Sequence, residues 1–145
     1  MKFRLRSLFV AIAVASVVIV AAMWLKHALV GSTASNVSAK SANRYIWPSL
    51  RLPVSATDVT FAVAPYFCEA EFAISEVEFC KWCTNNGWRM TSITSPHVYY
   101  GVIPNRPNAD KARVVGHGFH FYSPDGDGTF DADRSRAEFH VSTFP

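Results

Sequence analysis

An apolar run near the N-terminus constrains this chain more than any other feature of its sequence. No charged residue lies between Leu8 and Leu25, and Lys26 ends the run. As an α-helix, 18 residues at about 1.5 Å each span about 27 Å, close to the ~30 Å hydrocarbon thickness of a bilayer. We therefore predict a transmembrane helix, with residues 8–30 as the anchor and residues 8–25 in contact with the lipid bilayer.

The charges that flank this run predict its orientation. Lys2, Arg4 and Arg6 precede it, and segments rich in Lys and Arg stay in the cytoplasm. Residues 1–7 are thus predicted to be a basic cytoplasmic tail at the cell membrane, with the C-terminal domain periplasmic or extracellular. A cleaved secretory signal peptide is the alternative, because the basic start, an apolar core and the small residues 20–22 also satisfy that pattern. Both interpretations export the same domain.

The formal net charge of +3 comes from 14 basic and 11 acidic residues, and it is unevenly distributed. Four of the basic residues flank the apolar run, so the rest of the chain has 10 basic and 11 acidic residues and a formal charge of −1. A surface without excess positive charge provides little attraction for phosphates. The composition therefore argues against nucleic acid as a partner.

Small polar residues without hydrophobic periodicity follow the anchor, over residues 31–43. Such a composition is typical of a flexible tether, and we predict a linker over residues 31–44. The remaining residues, 45–145, are predicted to form one globular domain without internal repeats.

The pattern of this domain is that of an α+β fold. Val59, Phe61 and Val63 alternate with small or polar residues, which predicts a strand, and Phe72 with Ile74 predicts a second one. Further strands are predicted over residues 88–93, 113–123, 129–132 and 136–142, with turns at 124–128 and 133–135. We expect a small, mostly antiparallel sheet of four to six strands with one packed helix.

The start of that helix has a specific signal. Ser75 is followed three residues later by Glu78, the arrangement of a capping box. A helix over residues 76–85 is therefore predicted, ending at Asn86 and Gly87, which tolerate the left-handed conformation that ends helices.

Three cysteines offer two interpretations. Cys80 and Cys83 form a C-x-x-C motif in an exported protein, where thiol oxidoreductases also act. Such enzymes place the first cysteine at a helix N-terminus, however, whereas the predicted cap at Ser75 places the pair in mid-helix. We therefore favour a structural role in which Cys68 forms a disulfide with Cys80 or Cys83. The choice of partner stays open.

Two segments contain residue types that can bind a metal ion. His117 and His120 could join the cysteine pair around zinc, but residues three apart on a strand point to opposite faces. Alternate acidic residues over 125–133 have the spacing of a calcium loop, but Phe130 stands where its glycine is needed and Arg136 where its bidentate Glu is needed. No cofactor is predicted.

Aromatic residues are abundant, with 11 Phe, 5 Tyr and 4 Trp. Most occupy positions where a small core needs filling, since large rings bury the most area. Tyr99 and Tyr100, in a proline-rich segment, are predicted instead to form a contact surface.

The segments Leu52–Val59, Phe72–Trp82 and Asn86–Trp88 resemble a pattern that recurs in small single-pass membrane-anchored bacterial proteins of unknown function. In that group the first segment leads into a strand and the second forms a helix that packs on the sheet. The resemblance implies the same arrangement here and implies no activity or site residue.

No motif of nucleophilic hydrolysis is present. The sequence therefore predicts a membrane-anchored extracytoplasmic domain that acts without catalysis, as a protein-interaction or envelope accessory module with an envelope protein as its partner. An exported thiol enzyme using Cys80 and Cys83 and a metal-dependent ligand-binding domain are the alternatives.

Overall fold

One long helix, α1 (Leu5–Val30), makes up the described part of the first of two compact units, Met1–Gly31 and Ser32–Pro145. The computed structural model describes residues 5–99 and 113–142. The large apolar side chains of α1 that are described are all exposed: Phe9, Val10, Ile12, Val14, Val17, Val18, Ile19, Val20, Met23 and Leu25. When only the described part of the chain is counted, no helix qualifies by length and apolarity as a membrane-spanning segment.

In chain order the elements of the second unit are β1 (Ser32–Val37), α2 (Ala39–Ala42), a 3-10 turn (Pro48–Leu50), β2 (Thr57–Ala64), β3 (Phe67–Ala73), α3 (Glu76–Asn85), β4 (Arg89–Ser92), β5 (His97–Tyr99), β6 (Arg113–Val115), β7 (Gly118–Tyr122), β8 (Gly126–Asp131) and β9 (Arg136–Ser142).

The strands form a seven-stranded sheet, in the order β1-β2-β3-β9-β8-β7-β4, and a separate two-stranded ribbon, β5-β6. All of these pairings are antiparallel. The α+β class and the mostly antiparallel sheet are therefore confirmed.

The predicted limits of α3 are confirmed. The Ser75 hydroxyl caps the helix by accepting a hydrogen bond from the backbone N–H of Glu78 at 3.4 Å. At the other end, Gly87 has a φ of 68°, a left-handed conformation that glycine adopts without steric cost. The Glu78 side chain makes an ion pair with Lys81, three residues further along the helix.

An aromatic cluster joins α3 to one face of the sheet. Phe79 stacks on Phe130 of β8, with ring centroids 4.6 Å apart. Trp82 meets Phe72 of β3 edge to face at 5.5 Å, and its indole N–H donates to the carbonyl of Arg51 at 2.9 Å. Large rings bury the most apolar area per residue, and the indole finds a hydrogen-bond acceptor, so the cluster stabilises the fold without an unpaired indole N–H.

The linker predicted over residues 31–44 is wrong. Its residues form β1, which pairs with β2, and α2, whose Ala39 and Ala42 are buried in the core. Asn43 fixes the segment further, because its side-chain amide both accepts from and donates to the backbone of Leu52. Composition misled because strand pairing uses backbone groups and alanine is small enough to pack closely.

Two strand predictions also need correction. The single strand expected over residues 113–123 is divided into β6 and β7, which belong to different sheets, and the turn expected over 124–128 is shortened because β8 begins at Gly126. The division falls next to Gly118, which has a φ of 148°. A Cβ atom there would lie 1.8 Å from the carbonyl oxygen of Phe130, so only glycine permits this close approach.

We expect Phe79→Ala to lower the free energy of unfolding by about 3–5 kcal/mol, the usual cost of removing a buried ring. Val77→Ala on the same helix is the matched control, because Val77 is 65 % exposed and should change stability by less than about 0.5 kcal/mol. Chemical denaturation of the full chain in detergent micelles measures both. Equal losses in the two variants would contradict the packing described here.

Candidate functional site

Strand register places acidic residues on the face of the sheet opposite α3. Alternate residues of a strand point to opposite faces, and Cys68, Ala70 and Phe72 of β3 lie in the aromatic core. Glu69 and Glu71 therefore lie on the other face, where Glu71 pairs with Glu138 of β9. The three glutamates are only 5 %, 1 % and 7 % exposed in that chain order. Three buried carboxyl groups thus occupy neighbouring positions on two strands.

Two arginines that are distant in sequence compensate the charge of Glu71. Its Oε1 accepts hydrogen bonds from Arg113 Nη1 at 2.9 Å and from Arg136 Nε at 2.6 Å. Arg136 also donates from Nη1 to Asp58 Oδ2 at 2.6 Å. Burial disfavours the charged form of Arg136, but Asp58 and Glu71 outweigh it and raise its pKa. This network provides the pairing that a buried charge requires.

The charge of Glu138 is compensated less fully than that of Glu71. Burial is the main cause that raises its pKa to about 7, and the neighbouring charge of Glu71 acts in the same direction. Arg113, whose Nη1 lies 3.8 Å from Glu138 Oε2, acts in the opposite direction and lowers the pKa. This carboxyl group therefore changes its protonation state near neutral pH, far above its ordinary range.

Glu69 is paired with a histidine directly across the strands. Its Oε1 makes a hydrogen bond with Nδ1 of His140 on β9. Burial raises the pKa of Glu69, and the hydrogen bond to His140 opposes that change. Its second oxygen, Oε2, is buried and has no hydrogen-bond partner within the described part of the chain.

The β5-β6 ribbon contributes to this polar face. Arg113 of β6 carries the contact to Glu71, and Val115 is buried. From β5, the His97 ring lies edge-on to the His120 ring of β7, with centroids 4.6 Å apart. Burial, and next the charge of His97, lower the pKa of His120.

Two concavities lie on this face and share Glu71, Arg113, Arg134 and Arg136. One, beside Glu138, has a volume of about 20 Å³, enough for a single water molecule. The other is an open groove of about 470 Å³, which we call the arginine groove. Its lining is Ser35, Asp58, Thr60, Glu71, Arg113, Arg134 and Arg136. With three arginines and two carboxylates, this lining has a formal charge of +1.

The disulfide predicted among Cys68, Cys80 and Cys83 is absent. All three residues are described and all are free thiols. Cys68 is buried in the core, where desolvation raises its pKa to about 11 despite a hydrogen bond with the backbone of Trp47. Cys83 is also buried, while Cys80 is half-buried on the side of α3 that carries exposed Val77. The two helix cysteines therefore have different surroundings.

Thiolate chemistry has little support at these positions. Burial raises the pKa of Cys83 to about 12, and it also raises the pKa of Cys80, with Glu76 adding to the effect. The reactive cysteines of thiol oxidoreductases have lowered pKa values instead. The C-x-x-C motif is thus part of the packing of α3.

The two candidate histidine ligands contact other side chains. His117 Nδ1 lies 3.2 Å from the carboxylate of Asp133, with both side chains exposed, and His120 Nδ1 lies 3.4 Å from Thr129 Oγ1. Within residues 5–99 and 113–142, no group of three or more His, Cys, Asp or Glu residues could hold a metal ion. Asp131, expected in the acidic loop, instead ends β8 and accepts from the backbone N–H of Arg134.

The predicted contact surface falls mostly outside the structure. Tyr100 lies outside the described residues, and of Tyr99 only the backbone is described, paired with Arg113.

Sequence reasoning missed the buried glutamates and their arginines. A signal was present, because Glu69 and Glu71 alternate with apolar neighbours inside a strand. An acidic side chain at such a position is either solvent-exposed or paired, and only the sheet order brings Arg113 and Arg136 within reach.

No protein-family model, characterised protein or solved structure matches this chain. The resemblance to small single-pass membrane proteins therefore stays a prediction.

Glu138→Gln should alter the pH dependence of stability. Because folding raises the Glu138 pKa from its ordinary 4.5 to about 7, its contribution is fully present at low pH and is lost as pH rises through about 7. The variant should gain up to about 3 kcal/mol relative to wild type between pH 5 and pH 8. Urea denaturation across that range measures it. Glu78→Gln, on the surface of α3, is the control, and an identical pH profile for wild type and Glu138→Gln would contradict the assignment.

Alkylation should distinguish the three thiols. In the folded chain at pH 7.5, iodoacetamide is expected to modify Cys80 alone and slowly, because Cys68 and Cys83 are buried and protonated. Intact-mass spectrometry should show one adduct at most, three in urea, and none in folded Cys80→Ser. Rapid modification of Cys83 would restore the thiol-enzyme hypothesis.

Proposed function

We propose that this chain is a membrane-anchored extracytoplasmic binding module that acts through protein contacts at its arginine groove and without catalysis. The observation that carries the proposal is the convergence of charged side chains from distant parts of the chain on one open groove. Its anchor is α1, its N-terminus is cytoplasmic, and its partner is an envelope protein.

The sequence and conformation of α1 support the anchor. In the full sequence, the uncharged run from Leu8 to Leu25 would span about 27 Å as a helix, close to the ~30 Å hydrocarbon thickness of a bilayer. A helix satisfies all its backbone polar groups internally, which is the condition for an isolated segment in lipid. Residues 5–30 are helical, and the described apolar side chains of α1 are exposed rather than packed in a core. The basic residues 2, 4 and 6 favour a cytoplasmic N-terminus.

The surroundings of the thiols favour binding over redox catalysis. Each of the three cysteines has a raised pKa, and two are buried. In contrast to the buried cysteines, the arginine groove is open to solvent, and Glu71 holds the guanidinium groups of Arg113 and Arg136 in place. Arginine is the charged residue most enriched at protein interfaces.

Topology is tested with a C-terminal reporter on the full chain. Alkaline phosphatase fused there should be active and green fluorescent protein dark, because the domain is proposed to leave the cytoplasm. The intact chain should also stay with the membrane during carbonate washing. The inverse reporter pattern, or release by carbonate, would refute the anchor.

Partner contact is tested in the same cells with a photo-crosslinking residue at Ser35, on the rim of the groove. We expect a discrete crosslinked envelope protein that disappears when Arg134→Glu is added. A crosslinker at Lys81, on exposed α3, is the matched control. The same product from both positions, or a product that is insensitive to Arg134→Glu, would refute the groove as the contact surface.

A further inference from the structure

We infer that the arginine groove is a binding site for a carboxylate group. The inference deepens the proposed function, because it names the chemical class that this groove takes. It rests on the groove's own geometry, and its test does not depend on where the protein lies in the cell.

The groove presents guanidinium donors that the described part of the chain does not fully engage. An arginine side chain has five N–H donors. Within the described residues, hydrogen bonds engage Nη1 of Arg113 and the three nitrogens of Arg136, which leaves part of their donor capacity open. Arg134 is more available, since its closest carboxylate contact among the described residues is Asp131 at 3.6 Å, beyond hydrogen-bond length, and its side chain is 53 % exposed.

Buried Glu71 fixes two of these guanidinium groups before any ligand arrives. Because Arg113 and Arg136 both donate to its Oε1, their positions are held from below. A preorganised site loses less side-chain entropy on binding. The hydroxyl-bearing residues Ser35 and Thr60 complete the lining with additional donors.

Charge and shape select a carboxylate over a cation. The lining has a formal charge of +1, and a cationic ligand would face three arginines. Guanidinium groups pair with carboxylates through two parallel hydrogen bonds, a geometry that lysine does not offer. The volume of about 470 Å³ suits a small ligand or a single inserted side chain.

Protonation of Glu138 should tune this site. The charged or titratable groups around Glu138 are Glu69 and Glu71 from β3, Asp131 from β8, Arg134 from the turn after it, Arg136 and His140 from β9, and Arg113 from β6. When Glu138 is ionised, it adds a negative charge beside the groove and attracts Arg113. Carboxylate affinity should therefore rise as pH falls through about 7.

The test is calorimetric titration of the full chain in nonionic detergent at low salt, with succinate as the probe and neutral succinamide as its control. Succinate should bind saturably and succinamide should not. Arg134→Ala should weaken succinate binding about tenfold, the usual effect of losing a charge-assisted hydrogen bond. Arg89→Ala is the matched control, because Arg89 packs over the Tyr122 ring outside the groove and should leave affinity unchanged.

Three further variants test the site independently of Arg134. Ser35→Glu, on the exposed rim, should weaken binding and Ser35→Lys should strengthen it, without disturbing the buried network. Glu138→Gln should bind succinate equally at pH 6 and pH 8, whereas the wild type should bind at least threefold more tightly at pH 6. Absent succinate binding, equal binding of succinamide, or no effect of Arg134→Ala would overturn the inference.

A second titration distinguishes the source of the carboxylate. If a tetraglutamate peptide binds more tightly than succinate and tetraglutamine does not bind, the result supports an acidic segment of a protein as the natural ligand. Tighter binding of succinate supports a small molecule; the carboxylate inference then stands and the protein-contact proposal fails. Saturable binding by a chain whose C-terminal reporter is cytoplasmic would refute the proposed location alone.

Discussion

The in-register pairing of β3 with β9 determines the character of both faces of the sheet. Seven consecutive residue pairs, from Phe67 with Ser142 to Ala73 with Arg136, leave no irregularity between the two strands. Because side chains alternate, this register directs Phe72 and Phe139 toward α3 and sets Glu71 beside Glu138 on the opposite face. A slip of one residue would exchange the two sets and place carboxylates in the aromatic core. The core and the arginine groove therefore depend on the same backbone hydrogen bonds.

The carboxyl groups under the groove make the domain sensitive to the integrity of its ion pairs. Burying a charge is costly unless a partner is close, and removing one partner of a buried pair costs more than the pair contributes. Glu71 meets this condition with two arginines, whereas Glu138 meets it in part and changes protonation near neutral pH instead. This arrangement holds the guanidinium groups of Arg113 and Arg136 in fixed positions beside the open groove, as a preformed anion site requires. The structural and binding roles of Arg113 and Arg136 are therefore inseparable, while Arg134 at the rim serves binding with less structural consequence.

Much of the fold could be predicted from local patterns. The alternation of Val59, Phe61 and Val63 identified β2, and Ser75 with Glu78 identified α3 to the residue, because both signals act over a few neighbours. Residues 31–44 and the division between β6 and β7 could not be predicted. The structure of residues 31–44 depends on the pairing of β1 with β2 and on the hydrogen bonds between Asn43 and Leu52. The division between β6 and β7 depends on the close approach of Gly118 to Phe130 on the neighbouring strand. The C-x-x-C motif of Cys80 and Cys83 and the third cysteine, Cys68, could be recognised in the sequence. Their burial and the absence of a disulfide among them could not.

The sequence by itself determined the uncharged apolar run, its basic flank, the α+β class and the capped helix, since each is a property of adjacent residues. Tertiary structure alone decided that Arg113 and Arg136 meet Glu71, 42 and 65 residues away in the chain. It also decided that Glu138 lies beside them and that the groove opens above. Ion pairing acts through space and has no periodicity along a chain, so no local pattern of charges could reveal which carboxylate each arginine would find.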